Sequence, residues 1–177
     1  VGSALPVDLE TGLPANGVFP RVQGDVYAVE SDGAGGYFIG GEFSSVGEHD
    51  IAGLAHISSS GEVKGLTDAP DEIVYALELV GDVLYVGGQF DELGGVERSL
   101  VAAIDTATWE VLAWDPELDQ QVSAFASADG KLFVGGDFSF AGPDAVVGLA
   151  TFDLATGARV SWGPPLDNSV EALTVAA

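Results

Sequence analysis

The sequence predicts an all-β protein made of a repeated unit of about 48 residues, and three observations carry that expectation. Gly-Gly-x-Phe occurs three times, as Gly40-Gly41-Glu42-Phe43, Gly87-Gly88-Gln89-Phe90 and Gly135-Gly136-Asp137-Phe138. Val-x-Ala recurs every 48 residues, at Val26-Tyr27-Ala28, Val74-Tyr75-Ala76, Val122-Ser123-Ala124 and Val170-Glu171-Ala172. Between these markers lie short apolar runs bounded by Gly, Pro, Asp and Ser, without helical periodicity.

Each unit resolves into four expected strands. Val-x-Ala opens the first. The second is the apolar run that leads into the glycines: Tyr37-Phe38-Ile39, Leu84-Tyr85-Val86 or Leu132-Phe133-Val134. Asp32-Gly33 and Asp129-Gly130 are dipeptides that accept positive φ in tight hairpins, so these two strands pair antiparallel. The first unit carries one extra residue in that loop. After Gly-Gly-x-Phe, residues 44–50, 91–99 and 139–147 read as polar or glycine-bearing loops. A third strand follows as Leu54-Ala55-His56-Ile57, Leu100-Val101-Ala102-Ala103-Ile104 or Leu149-Ala150-Thr151-Phe152. Turns such as Asp105-Thr106-Ala107-Thr108 and Asp153-Leu154-Ala155-Thr156-Gly157 close it, with Asp bonding the backbone just ahead. A fourth strand, Val111-Leu112-Ala113-Trp114 or Val160-Ser161-Trp162, ends near Pro116 or Pro164.

Runs such as Val83-Leu84-Tyr85-Val86 are apolar on both faces, which suits a small sheet covered on both sides. Four-stranded units of this length, each sandwiched by its neighbours, are expected as blades of a β-propeller. The unit boundaries fall at about 1–25 (partial), 26–73, 74–121, 122–169 and 170–177 (partial), giving three complete blades and a partial blade at each end. The first partial unit begins in a third strand near Val7-Asp8-Leu9-Glu10-Thr11-Gly12, and the last holds a first strand from Val170 to Val175. Phe43, Phe90 and Phe138 are expected buried between blades.

Composition narrows the partners. Five basic residues against 28 acidic ones leave a net charge of −23, which repels phosphate backbones, so nucleic acid is not an expected partner. The acids are scattered through turns as a solvated coat. With no cysteine there is neither a disulfide framework nor a thiolate metal site. No apolar run approaches the roughly 18 residues of a membrane helix. Without a methionine, even at position 1, the sequence is expected to be a processed or excerpted piece of a longer chain.

Residues 74–116 hold the series Val-Tyr-Ala-Leu, Leu-Tyr-Val-Gly-Gly-x-Phe, Gly-Gly-Val-x-Arg, Leu-x-Ala-Ile-Asp and Trp-x-Pro, with partial copies along the whole chain. That series resembles the delta-60 repeat family of β-propellers, found in large secreted and cell-surface bacterial proteins. The copies depart from it at Gly47-Glu48 and Gly142-Pro143 in place of Gly94-Gly95, at Arg98, which has no basic counterpart, and at Ala69-Pro70, where other copies carry Trp. The resemblance implies an extracellular location and binding or adhesion, with no assigned catalytic residues.

Several residues are candidates for function. Glu42, Gln89 and Asp137 share one position and could ring a common face as a ligand site, or be solvated strand ends. Asp71, Asp119 and Asp167 recur before first strands and could hold calcium through carboxylates and loop carbonyls, or form Asx turns. Trp114 and Trp162 share a position that suits blade packing. Trp109 stands where another copy has Gly157 and is the candidate for an exposed, sugar-stacking turn tryptophan. The two histidines, His49 in a loop and His56 in a third strand, belong to no repeated set, and no Gly-x-Ser-x-Gly elbow exists. The expected function is non-catalytic: an extracellular adhesion module binding protein or glycan. The alternatives are a structural subunit of an extracellular filament or surface layer, self-associating through open blade edges, and, more distantly, a propeller hydrolase using paired carboxylates.

Overall fold

The computed structural model describes residues 19–163 and 166–175, and among them every regular element is a β-strand. The first sheet has the order β1 (Val22–Ser31), β2 (Tyr37–Val46), β3 (Leu54–Ile57), β4 (Val63–Gly65). The second holds β5 (Val74–Val80), β6 (Val83–Gly88) and β9 (Val101–Asp105), with a separate hairpin of β7 (Glu92–Leu93) and β8 (Val96–Glu97). The third repeats that plan with β10 (Val122–Ala128), β11 (Lys131–Gly136) and β14 (Leu149–Asp153), plus the hairpin β12 (Phe140–Ala141) and β13 (Asp144–Ala145). All pairings are antiparallel, and each sheet is drawn from one continuous stretch of chain.

The glycine pairs explain the two sequence markers together. The second glycine of each pair faces its own first strand at a β-bulge: Val26, Val74 and Val122 oppose Gly41, Gly88 and Gly136, while Ala28, Ala76 and Ala124 oppose Gly40, Gly87 and Gly135. The residue between, Tyr27, Tyr75 or Ser123, is the extra one, and the strands approach so closely that a Cβ on Gly41, Gly88 or Gly136 would collide with the carbonyl of Asp25, Ile73 or Gln121. The first glycine serves the next sheet. Val74 seats its Cγ1 where a Cβ of Gly40 would be, Val122 does so over Gly87, and Val170 over Gly135. β5 accordingly lies beside both β1 and β10.

The core is layered between sheets. Phe38 and Leu54 of the first sheet meet Leu84, Val86, Ala102 and Ile104 of the second, and Val101 of the second joins Leu132, Val134, Ala150 and Phe152 of the third. The middle sheet is therefore buried on both faces, as its apolar runs predict. Phe43, Phe90 and Phe138 are all buried, within these two layers and a third lined by Ile39, Ala55 and Ile57.

Four expectations need correction. The fourth strand forms only in the first sheet. In the others it shrinks to single bridges, Ile104 with Val111 and Phe152 with Arg159, because the chain then leaves the sheet edge to carry Trp114 or Trp162 across its face. The expected loops 91–99 and 139–147 contain the short hairpins β7–β8 and β12–β13. Their turns account for the departures at these positions: Gly94-Gly95 takes positive φ twice (62° and 73°), whereas Gly142-Pro143 takes it once (56° at Gly142), since proline cannot. Residues 170–175 form no strand, although the Val170 N–H donates to the Gly136 carbonyl at 3.0 Å. The expected third strand near Val7 lies outside the described residues.

Finally, Leu100 does not open the third strand. It sits at φ 72°, where the other sheets have Gly53 (68°) and Gly148 (71°), and like them its N–H donates to the carbonyl of the preceding phenylalanine. A left-handed leucine carries strain of about 1 kcal/mol. Leu100→Gly is expected to raise the unfolding free energy, read from urea denaturation, by up to that amount, offset by whatever its half-buried side chain contributes.

Candidate binding surface

The bulges re-aim Tyr27, Tyr75 and Ser123 toward the side where Glu42, Gln89 and Asp137 stand, because a bulged residue leaves the regular alternation. Tyr27 and Tyr75, from adjacent sheets, lie with ring centroids 5.4 Å apart at 46°. The Tyr75 hydroxyl donates to Gln89 Oε1 (3.4 Å), Gln89 Nε2 donates to Gln121 Oε1 (2.7 Å), and Gln121 Nε2 donates to Ser123 Oγ (3.1 Å). A polar rail thus crosses from the second sheet to the third. On the first sheet Glu42 faces the exposed Tyr27, whose phenol is held above its usual range by desolvation first and then by the carboxylates of Asp25 and Glu42. The three sequence candidates therefore hold equivalent, exposed places without meeting, and of them Gln89 is engaged in the rail.

Asp71 and Asp119 have a structural task that their spacing did not disclose. Asp71 Oδ1 accepts the amides of Asp91 and Glu92, both at 3.0 Å, and Asp119 Oδ1 accepts those of Ser139 and Phe140 at 2.8 and 2.9 Å. These are long-range clamps on the following hairpin rather than Asx turns on their own backbone. Asp167 is exposed. Among the described residues no group of three or more His, Asp or Glu is placed to hold a metal ion. Asp71 and Glu42 do line one open cleft of about 460 Å³ between the first two sheets, with Gln23, Ser44, Pro70 and Glu72. Asp119→Ala is expected to cost about 0.5–2 kcal/mol in urea denaturation, the range for losing a carboxylate that caps backbone amides, and Asp119→Asn much less.

Asp105 and Asp153 are the self-bonding turns that the sequence predicts. Asp105 Oδ1 takes the Thr108 amide (2.8 Å), the Thr108 hydroxyl (3.1 Å) and the Ala107 amide (3.0 Å), and Asp153 Oδ1 takes the Thr156 amide and hydroxyl (2.9 and 2.8 Å). These bonds hold both carboxyls below the usual range. Asp32 is lowered as well: desolvation is its largest influence and raises it, but hydrogen bonds from His56, Ala34 and Gly36 outweigh that. Lowered carboxyls contribute stability that is present above their unfolded pKa and lost as pH falls through the folded one. Glu30 has the opposite sign, raised by desolvation and then by Glu78, so its contribution is present in acid and lost as pH rises through its folded pKa. The melting temperature is therefore expected to fall below about pH 4. Asp105→Asn is expected to flatten that fall, and Glu30→Gln to raise the melting temperature at neutral pH, both read by calorimetry across the range.

The His56–Asp32 contact was invisible in the sequence. Asp32, in the β1–β2 loop that carries the extra residue, meets His56 Nε2 of β3 at 2.9 Å, and the imidazole stacks on Phe38 at 4.6 Å. Asp32 Oδ1 also accepts the Ala34 and Gly36 amides, so the pair fastens the loop to the sheet. Among the described residues no hydroxyl hydrogen-bonds to the ring. The tryptophans also sort themselves. Trp109 is not an exposed turn residue: it is half-buried 6.2 Å from Phe38, packed against the layer between the first two sheets, because the neighbouring sheet covers the turn on which it stands. Trp114 packs edge-on between Tyr85 and Phe152, at 5.2 and 5.3 Å, while Trp162 also meets Phe133 edge-on, at 4.7 Å, but stays 54% exposed.

No known protein family matches the chain, and no curated protein matches it either. Among solved structures it is similar to the crystal structure of the computationally designed Ika8 protein, at 13% identity and a TM-score of 0.40. That similarity covers 88% of this chain, which spans 66% of the length of the designed one. No helix among the described residues is long and apolar enough to cross a membrane.

Proposed function

We propose that the three sheets are blades of a β-propeller of the delta-60 repeat kind, and that this region works non-catalytically outside the cell, in adhesion or in binding protein or glycan. The observation that carries this reading is the double use of each glycine pair. One glycine serves the bulge of its own sheet and the other seats the valine of the next, which is a rule for stacking sheets in an open-ended series with their first strands side by side. The binding part of the reading rests on the exposed Tyr27 beside Tyr75, with Glu42, Gln89 and Gln121 around them: an aromatic ledge bordered by amides and a carboxylate suits a sugar or a protein side chain. The carboxylates of the recurrent turns and clamps have structural duties, which supports a non-enzymatic role.

A scaffold in a filament or surface layer is the second reading, favoured by the exposed Trp162 on the face of the third sheet. Glycan and host-protein arrays probed with the chain and with Tyr27→Ala, alongside a hydrolase panel, separate these readings. Binding that Tyr27→Ala abolishes supports adhesion, ordered fibres without binding support the scaffold, and turnover lost on changing one carboxylate overturns the non-catalytic proposal. Calcium that merely raises the melting temperature decides nothing between them, since mass action on 28 carboxylates suffices.

A further inference from the structure

The contacts between sheets follow a size exchange. At a spacing of 48 residues it is Leu66, not Ala69-Pro70, that stands at the position of Trp114 and Trp162, and Gly61, Trp109 and Gly157 are spaced likewise. Between the first and second sheets the small partner, Leu66, comes from the earlier sheet, and the later sheet supplies Trp109 beside Phe38. Between the second and third sheets the roles are reversed. Trp114 of the earlier sheet covers Tyr85, and the later sheet offers Gly157, where a Cβ would stand 3.0 Å from Trp114 Cδ1. The Gly157 carbonyl also accepts the Trp114 indole N–H at 3.1 Å. Each contact thus holds one indole, and whichever sheet lacks it leaves the room.

On the third sheet the earlier half of such a contact is already assembled. Trp162 lies against Phe133 as Trp114 lies against Tyr85, at 4.7 Å and 69°, but more than half of it faces solvent. Depressions of about 260 and 360 Å³ flank it, lined by Phe133, Leu149, Leu173 and Val175 on one side and by Val147 and Leu166 on the other. Val170 already occupies the seat over Gly135 that Val74 and Val122 take over Gly40 and Gly87.

We propose that this face is a docking surface for one further sheet of the same 48-residue kind, selected by a glycine that admits Trp162 and accepts its indole N–H. The inference rests on the serial-stacking reading above. The partner's third strand also presents a large apolar residue five positions before the glycine, as Phe152 stands before Gly157 and packs edge-on against Trp114. A partner with tryptophan in place of that glycine is excluded by collision of the two indoles.

The size rule is tested in the chain itself. Gly157→Trp is expected to lower the denaturation midpoint and expose Trp114, and adding Trp114→Leu is expected to recover most of the loss, recreating the Leu66 and Trp109 pairing. Trp109 sits at φ 62°, so the backbone at this turn accepts a tryptophan. Losses that simply add in the double variant overturn the rule. The surface is tested by lengthening the chain, with a second copy of residues 122–169 joined directly after Ser169. In fluorotryptophan-labelled protein, the Trp162 fluorine resonance, assigned with Trp162→Phe, is expected to lose its solvent-isotope shift. Tryptophan in place of the added copy's glycine is expected to restore that shift. An added unit that gains protected amides while Trp162 stays exposed overturns the docking surface alone. An added unit that gains none overturns both the surface and the serial-stacking reading.

Discussion

Phe90→Ala is expected to destabilise the protein by about 3–5 kcal/mol, the cost of deleting a fully buried aromatic ring. Phe90 has no solvent exposure and lies in the layer where the first two sheets meet, with Leu84, Val86 and Leu93 around it. Its backbone is held at the same time, because its carbonyl accepts the N–H of Leu100 at 2.8 Å. The neighbours are rigid strands, so the cavity cannot collapse and the cost falls near the top of the range. A urea denaturation series reads it directly, and a loss under about 1 kcal/mol would mean that the two sheets do not share this layer.

Gly88→Ala should be at least as damaging, at more than about 3 kcal/mol, although it adds a single methyl group. The new Cβ would drive into the Ile73 carbonyl and the Val74 Cα, both backbone atoms of the bulge. Neither can retreat without breaking the Gln89 N–H bond to that same carbonyl, 2.9 Å long, or unseating Val74 from Gly40. Gly81→Ala is the control. Its φ is 59°, but nothing lies within 4 Å of its added Cβ, so only the left-handed penalty of about 1–2 kcal/mol applies. Thermal melts of the two variants should separate the cost of close approach from the cost of backbone conformation. Gly88 has no positive φ, so a loss no larger than that at Gly81 would mean that the bulge yields to the added methyl group and that close approach does not make the glycine at 88 necessary.

The parts of the fold that were legible in the sequence are those set by spacing and volume. Glycine pairs, the Val-x-Ala marker and apolar runs located the first three strands of each sheet, because a period-48 pattern and two-sided burial both leave marks in the residue types. The two-residue arms of β7–β8 and β12–β13 were not legible, since a strand that short has no alternation to detect. The loss of the fourth strand in two sheets was hidden for a different reason: Val111 and Leu112 look like strand residues, and what pulls the chain away is Trp114 crossing to Tyr85 of its own sheet, as Trp162 crosses to Phe133. Contacts between residues far apart in the chain were the main omission. Neither the His56 bond to Asp32 nor the cover over Trp109 can be seen without knowing which surfaces meet. At the candidate surface, the shared position of Glu42, Gln89 and Asp137 was visible, but the bulge that brings Tyr27 and Tyr75 beside two of them was not, because a bulge is a difference in count between paired strands.

Among the described residues each sheet is drawn from one continuous stretch and none lends a strand to another, so neighbours are joined by side-chain packing and side-chain hydrogen bonds across their faces. A pull along this stretch meets no single lock. One sheet can unzip while its neighbours keep their own hydrogen bonds, because every backbone ladder is internal to its sheet. Roughly 48 residues at about 3.4 Å each give some 160 Å of new length per sheet released, before the folded width is subtracted. The material property that follows is graded extensibility: under load this stretch lengthens in instalments and dissipates work at each one.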